Sequence, residues 1–341
     1  MNIALTYDDV NIIPKYSELE HRSDCDLSTQ FTKNIRLKIP VVSSPMDTIT
    51  ELDMAIELDM LGGMGIIHRF MSIEKQSKMS NTLYTYNVKF GAAIGVTGDW
   101  FERAQELVKN GCNVLLIDVA HGHHKLVGDA IEEIKTRLSK VEIIAGSVAT
   151  GEASEYLCEK GADTIRVGIG NGSLCETRIR TGVGIPQVTA LLDCVAIADS
   201  YDVPIIADGG IRNIGDVCKG LACGADSVML GSLLSGTKES PGEIEKVGEW
   251  PNEQLFKKYR GSASLDSKKS RGSNKNVEGN HTVIPYKGKV KRIIQDIQEG
   301  IRSSFSYVGA NDISEFHSKV ELVQVTRAGN IEGKPHLLNT K

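Results

Sequence analysis

The sequence lacks the features that would take it out of the ordinary soluble classes. Nowhere in its 341 residues is there an apolar run near the ~18 residues of a membrane span. The opening stretch, MNIALTYDDVNIIPK, has no basic start followed by a long apolar core, so no secretory signal is expected. Basic residues are not in excess: 39 Lys and Arg stand against 44 Asp and Glu, a net charge of -5, which gives no reason to expect nucleic acid or an anionic membrane as partner. No CxxC pair occurs. The seven cysteines are scattered and odd in number, which reads as reduced thiols in a cytoplasmic protein rather than a disulfide frame or a zinc site. There is no internal repeat and no low-complexity tract. What remains is an average composition, 40% hydrophobic and 24% charged, long enough for one large domain or two ordinary ones.

Along the chain a rhythm sets in. Apolar strands are expected at 39–43, 64–67, 91–96, 114–118, 141–145, 164–167, 204–207 and 227–230. Helices are expected at 51–61, 72–80, 100–109, 126–138, 152–159, 186–199 and 213–223, with an eighth at 289–304. Strands alternating with helices imply a parallel sheet, and near-continuous apolar strands imply burial on both faces. Eight repeats favour an α/β fold closed as a (β/α)8, or TIM, barrel: a single domain over 1–341. The chemistry of such barrels sits where strands end. Asp47, His68, Asp118, Cys175, Asp208 and Gly231 fall there. After strand eight the rhythm fails. Residues 235–261 are polar, and SASLDSKKSRGSNKNVEGN is nearly devoid of large apolar side chains, a composition that fits either a mobile flap or simple surface disorder.

A long glycine-rich loop follows strand six: GIGNGSLCETRIRTGVGIPQ, with Cys175 at its centre. Loops of this length in compact domains are usually functional. Gly168, Gly170 and Gly172 let a ligand lie against the main chain. Loop N–H groups and the nearby Arg178 and Arg180 favour a thiolate at Cys175, a good nucleophile for an electron-poor ring carbon. Downstream, IIADGGIRN and VMLGS place glycine turns after strands seven and eight, a common barrel phosphate site, and Asp208 could accept from the hydroxyls of a ribose. Together they suggest a nucleotide monophosphate. His121, His123 and His124 have no Cys or carboxylate at ligand spacing and read as a solvated loop.

These pieces resemble the IMP dehydrogenase and GMP reductase family. LTYDDVNIIP, SSPMDT, GGMGIIH, DVAHGH, GIGNGSLCETR, GVGIPQ, IIADGGIR, VMLGS, YRGSAS, VIPYKG and RSSFSYVGA stand in that family's order over nearly the whole chain. The resemblance implies a (β/α)8 barrel in which a loop Cys bonds to C2 of a purine nucleotide and hydride passes between that carbon and a nicotinamide. It makes Cys175 the nucleophile. It assigns Ser44, Ser173, Asp208, Gly210, Gly231, Ser232, Tyr259 and Gly261 to the purine nucleoside monophosphate, and Asp118 to the nicotinamide cofactor. It assigns the carbonyls of Gly170, Gly172 and Cys175 to a monovalent cation such as K+. A homotetramer and an active-site flap over 259–282 are also implied. Residues 80–90 leave no room for the CBS modules that many dehydrogenases insert there.

The direction of the reaction turns on the flap. A dehydrogenase must hydrolyse the covalent intermediate, and in the family an Arg-Tyr pair activates the water. Here 261–285 holds no Tyr, Phe or Trp, and its one Arg, Arg271, is followed by Gly272. A reductase must help ammonia leave; Thr177 and Glu278 match the family's Thr-Glu pair. Against this, SSPMDT and GGMGIIH look more like dehydrogenase, Arg166 stands where many reductases have Lys, and Glu176, unusual in either, would oppose a thiolate beside it. The reading is an NADPH-dependent GMP reductase. The alternatives are an NAD-dependent IMP dehydrogenase and a non-catalytic purine-nucleotide sensor.

Overall fold

The structure, a computed structural model, describes residues 3–248, 252–264 and 277–335. Eight parallel strands close on themselves: β1 (Val41–Ser43), β2 (Met64–Ile67), β3 (Phe90–Ile94), β4 (Val114–Asp118), β5 (Glu142–Val148), β6 (Thr164–Val167), β7 (Ile205–Asp208) and β8 (Ser227–Leu230). The ladder closes where Val228 pairs with Val41. Around it run α1 (Leu52–Met60), α2 (Ile73–Thr85), α3 (Trp100–Lys109), α4 (Lys125–Arg137), α5 (Gly151–Glu159), α6 (Gln187–Ala198), α7 (Ile214–Ala222) and α8 (Val290–Val308). The expected barrel is the observed one.

Side-chain alternation sorts the apolar residues into two layers. Val42, Ile66, Ala93, Val114, Leu116, Ile144, Ile206 and Met229 point inward and fill the barrel, joined by Phe31 and Leu37. Leu115, Ile117, Ile143, Ile165 and Val228, one residue out of phase, join the cluster that packs against the helices. Phe31 and Leu37 come from a short hairpin, Thr29–Gln30 paired with Arg36–Leu37. Thr164 Oγ1 donates to the Phe31 carbonyl and Thr29 Oγ1 to that of Asp226, fixing this hairpin across the N-terminal mouth. The interior is thus plugged at one end, and a cavity remains at the other.

Four of the expected strands, β2, β4, β6 and β8, fall on their observed bounds. Others shift. β5 runs on to Val148 rather than stopping at Ala145, with a register irregularity between Gly146 and Val148 against β6. α2 continues to Thr85, five residues past the expected end, because its last turn is solvated and gives no apolar period to follow. α2 and β3 are joined by residues 86–89 alone, so no further module is inserted there. A three-stranded antiparallel ribbon also forms: β9 (Glu245–Val247) and β10 (Gln254–Arg260), within the polar region expected to be irregular, and β11 (His281–Pro285), which begins just after it where VIPYKG is expected to restore order. Its side chains are mostly exposed and polar, so composition gave no strand signal. Of the expected flap, 259–264 and 277–282 belong to or adjoin this ribbon; 265–276, with Arg271 and Gly272, lie outside the described residues.

Candidate active site

A cavity of about 660 Å³ opens at the C-terminal end of the barrel. Ser44, Asp118, Gly170, Gly172, Ser173, Cys175, Thr177, Asp208, Gly210, Gly231, Ser232, Tyr259, Gly261 and Glu278 all line it. Two strand-end candidates do not join them. Asp47 forms a two-pronged ion pair with Arg260, at 3.0 Å to Nε and 2.5 Å to Nη2. His68 is 2% exposed, 3.2 Å from Glu51, and accepts from the Phe70 N–H. Both hold the rim together. A place at a strand end fixes where a side chain starts, not where it points. The histidines after β4 behave as expected of a loop: His124 caps α4 by accepting from Leu126, and His123 packs against Tyr156. Among the described residues no group of three His, Cys, Asp or Glu is placed to hold a metal.

The cysteine loop is shaped by its glycines. Gly168 has φ 151°, and a Cβ there would stand 1.9 Å from the Asp208 carbonyl oxygen. Only glycine lets β6 and β7 turn out side by side this closely. Further on, the Arg178 side chain passes against Gly170 and Gly184, and its Nη2 donates to Asn171 Oδ1 and the Ile185 carbonyl. Asn171 in turn bonds Gln187, whose Nε2 donates to the Val167 carbonyl at 2.8 Å. One guanidinium therefore ties the outgoing limb of the loop to the returning one. This alters the expected role of the two arginines. Arg178 is committed to the loop frame, though within electrostatic reach of Cys175. Arg180 is committed to Glu176, at 2.6 Å.

Cys175 is the one cysteine of the seven that is not buried. Burial pushes the Cys112, Cys194 and Cys223 thiols up to about 12 and those of Cys158 and Cys218 up to about 11, so these stay protonated and inert. Cys175 Sγ lies 3.1 Å from Thr177 Oγ1, and Thr177 Oγ1 donates to Glu278 Oε2 at 2.9 Å. Thiol, hydroxyl and carboxylate form one chain of contacts. Glu278 arrives from the far side of the ribbon on a strand-like segment: Gly279 bridges Cys175 in antiparallel sense, Glu176 N–H donates to the Glu278 carbonyl, and Asn280 N–H to that of Leu174.

Across the cavity, Ser173 Oγ and Tyr259 OH are 2.9 Å apart. Burial holds the tyrosine above its ordinary range, so it stays a neutral phenol. Gly231 lies beneath Tyr259 OH and Ser44 Oγ, where a Cβ would stand 3.4 and 3.5 Å from them. The Gly210 N–H donates to the Asn171 carbonyl at 2.9 Å. Asp208 is lifted above the usual carboxylate range, chiefly by desolvation, with Arg166 opposing and Asp118 adding to the rise.

Arg166, 4% exposed on β6, is in the sequence simply a departure from the reductase pattern. In the structure it is central. Its Nη2 donates to Asp118 Oδ1 at 2.9 Å, and its Nε stands 3.8 Å from Asp208, an ion-pair distance rather than a hydrogen bond. Arg69 adds a bond from Nη2 to the Asp118 carbonyl at 3.1 Å and an ion pair at 3.7 Å. The carboxylates that end β4 and β7 are thus linked through one buried guanidinium. Residues 69, 118, 166 and 208 are far apart in the chain, so no local pattern could have shown the network. Its sequence signal was an arginine inside an otherwise apolar strand.

The arrangement offers a nucleophile with a proton path on one side, and hydroxyls and main-chain turns suited to a phosphate on the other. Comparison with known proteins agrees. Residues 4–336 match the model of the IMP dehydrogenase / GMP reductase domain. The chain is 39% identical to an inosine-5'-monophosphate dehydrogenase of Cryptosporidium parvum, over 98% of this chain and 95% of the relative. It is 38% identical to one of Borreliella burgdorferi, over 98% and 96%. A solved GMP reductase of Trypanosoma brucei, a cysteine-to-alanine variant in complex with guanosine 5'-monophosphate, superposes with a TM-score of 0.93 at 29% identity, covering 98% of each chain. A closed eight-stranded barrel, a loop cysteine at its open mouth and similarity along almost the whole length place this chain in the IMP dehydrogenase / GMP reductase family of oxidoreductases acting on purine nucleotides.

Proposed function

We propose that the protein is a GMP reductase, converting GMP to IMP and ammonia through a covalent bond between Cys175 and C2 of the purine. The chain of contacts from Cys175 through Thr177 to Glu278 carries this reading, because it puts a proton path beside the carbon that the thiolate attacks. The phosphate is held by Ser173, Tyr259 and the turns at Gly210, Gly231 and Ser232; Ser44 and Gly261 close around the nucleotide, and Asp208 accepts from the ribose hydroxyls. Cys175 adds to C2. The proton lost by the Cys175 thiol passes through the Thr177 hydroxyl to Glu278, and the same pair returns it to the 2-amino group as the C2–N bond breaks and ammonia departs. NADPH, held by Asp118, supplies when bound the hydride that replaces sulfur at C2. The thiolate is released with IMP. The covering strand at 277–280 excludes water, since hydrolysis of the intermediate would give XMP.

The carbonyls of Gly170, Gly172 and Cys175 would hold K+. They are neutral oxygen donors, a set that suits a hard cation rather than a transition metal. The assembly is a homotetramer in the cytoplasm. A second reading, IMP dehydrogenase with NAD, is favoured by the names of the relatives at 39% and 38% identity. One paired assay separates them. GMP with NADPH should lose absorbance at 340 nm as IMP and ammonia appear; IMP with NAD giving XMP, and no reaction from GMP, would establish the second reading instead. Tight GMP binding with no turnover in either assay would leave the nucleotide sensor.

A further inference from the structure

Glu176 lies between the nucleophile and Thr177, where an acid is expected to oppose the thiolate, and the resemblance gives it no role. Both its carboxylate oxygens are engaged. Oε1 accepts from Asn280 Nδ2 at 2.6 Å, and Oε2 accepts from Arg180 Nε at 2.6 Å. Its main-chain N–H donates to the Glu278 carbonyl at 2.8 Å. One residue of the cysteine loop thus grips the covering strand twice, once at 278 and once at 280. Residues two apart in an extended segment share a face. A hold on the Asn280 side chain therefore fixes the face from which Glu278 projects toward Thr177. Asn280 is itself held on the other edge, its carbonyl accepting from Gly261 N–H at 2.9 Å. Arg180 balances the charge, so the clasp does not leave an unpaired anion beside the thiol.

We propose that Glu176 is a positioning residue: with Arg180 and Asn280 it pins the covering strand to the cysteine loop in the register that brings the Glu278 carboxylate to Thr177. This rests on Thr177 and Glu278 being the proton-transfer pair. The test measures kcat and the GMP dissociation constant for Glu176→Ala, Glu176→Gln, Asn280→Ala and the Glu176→Ala/Asn280→Ala double variant, with Glu278→Gln as reference and circular dichroism to verify folding. Each alanine variant should lower kcat by about tenfold, the loss of one charge-assisted hydrogen bond, with GMP affinity changed less than about twofold. The double variant should be no slower than the slower single one, because the two side chains act through one contact. Glu176→Gln retains an acceptor for Asn280 and should recover most of the rate; Asn280→Ala, which removes the same contact from its other side, carries the test if Glu176→Ala fails to fold. Multiplying losses in the double variant, a glutamine no better than alanine, or an unchanged kcat while Glu278→Gln is slow would each overturn the clasp alone. An unchanged rate in Glu278→Gln would overturn the proton-transfer pair, and the clasp with it.

Discussion

Thr177 is the residue whose chemistry is most exposed to test. Its hydroxyl stands between sulfur and carboxylate, 3.1 Å from one and 2.9 Å from the other. Valine has nearly the same shape and no hydroxyl. Thr177→Val should slow ammonia release by about a hundredfold, the usual scale of a lost proton-transfer group, and leave GMP binding intact. Stopped-flow release and calorimetric titration check both; an undiminished rate would take Thr177 out of the proton path. At this scale the sequence was most legible where neighbours in the chain are neighbours in space: Cys175 and Thr177 are two residues apart, and the loop glycines are local. It was least legible where contacts cross the barrel. Arg166 with Asp118 and Asp208, and Arg180 with Glu176, depend on which way a side chain turns, and neighbouring letters do not report that.

The elements add stability at identifiable points. α8 buries Val290, Ile294, Ile297, Ile301, Phe305 and Val308 along one stripe and ends at Gly309 with φ 72°. Phe305 is fully buried, with its ring 4.6 Å from that of Phe316. Phe305→Ala should cost about 3–5 kcal/mol in urea unfolding while the folded variant keeps its affinity for GMP. A loss below ~1 kcal/mol would mean that this contact is not part of the core. At the plugged end, Asp226 precedes β8 and accepts from the Ile205 N–H at 2.8 Å. Desolvation pushes its carboxyl up to about 7; the Ile205 bond opposes this and Asp199 adds to it. A carboxyl whose pKa is higher folded than unfolded, about 7 against roughly 4, gives the folded state an extra proton between those values. Stability is therefore lost as pH rises through about 7. Asparagine keeps an acceptor and cannot ionise. Between pH 5 and 8 the Tm should fall by about 2 °C more in the parent than in Asp226→Asn; parallel curves would clear Asp226. Element types were legible because buried strands and amphipathic helices carry periods. The β9–β11 ribbon was not, since most of its side chains are exposed and only isolated residues such as Tyr259 and Ile284 reach the core, too few to set an apolar period.

At the scale of the whole molecule, the barrel brings to one mouth residues from 44 to 278 that the chain keeps apart. Its closure was legible from eight alternations, and its open end from the glycine turns after β6, β7 and β8. The direction of hydride transfer was not, because both reactions share the same covalent step and differ in what removes the purine from sulfur. That shared step is the firmest ground for a test. Enzyme quenched in acid during turnover of its nucleotide should yield, by peptide mass spectrometry, a purine ribonucleotide attached to the peptide bearing Cys175, and no such peptide should form in Cys175→Ala, which should bind nucleotide without turning it over. Turnover that persists in Cys175→Ala, with no adduct on the parent peptide, would contradict the account.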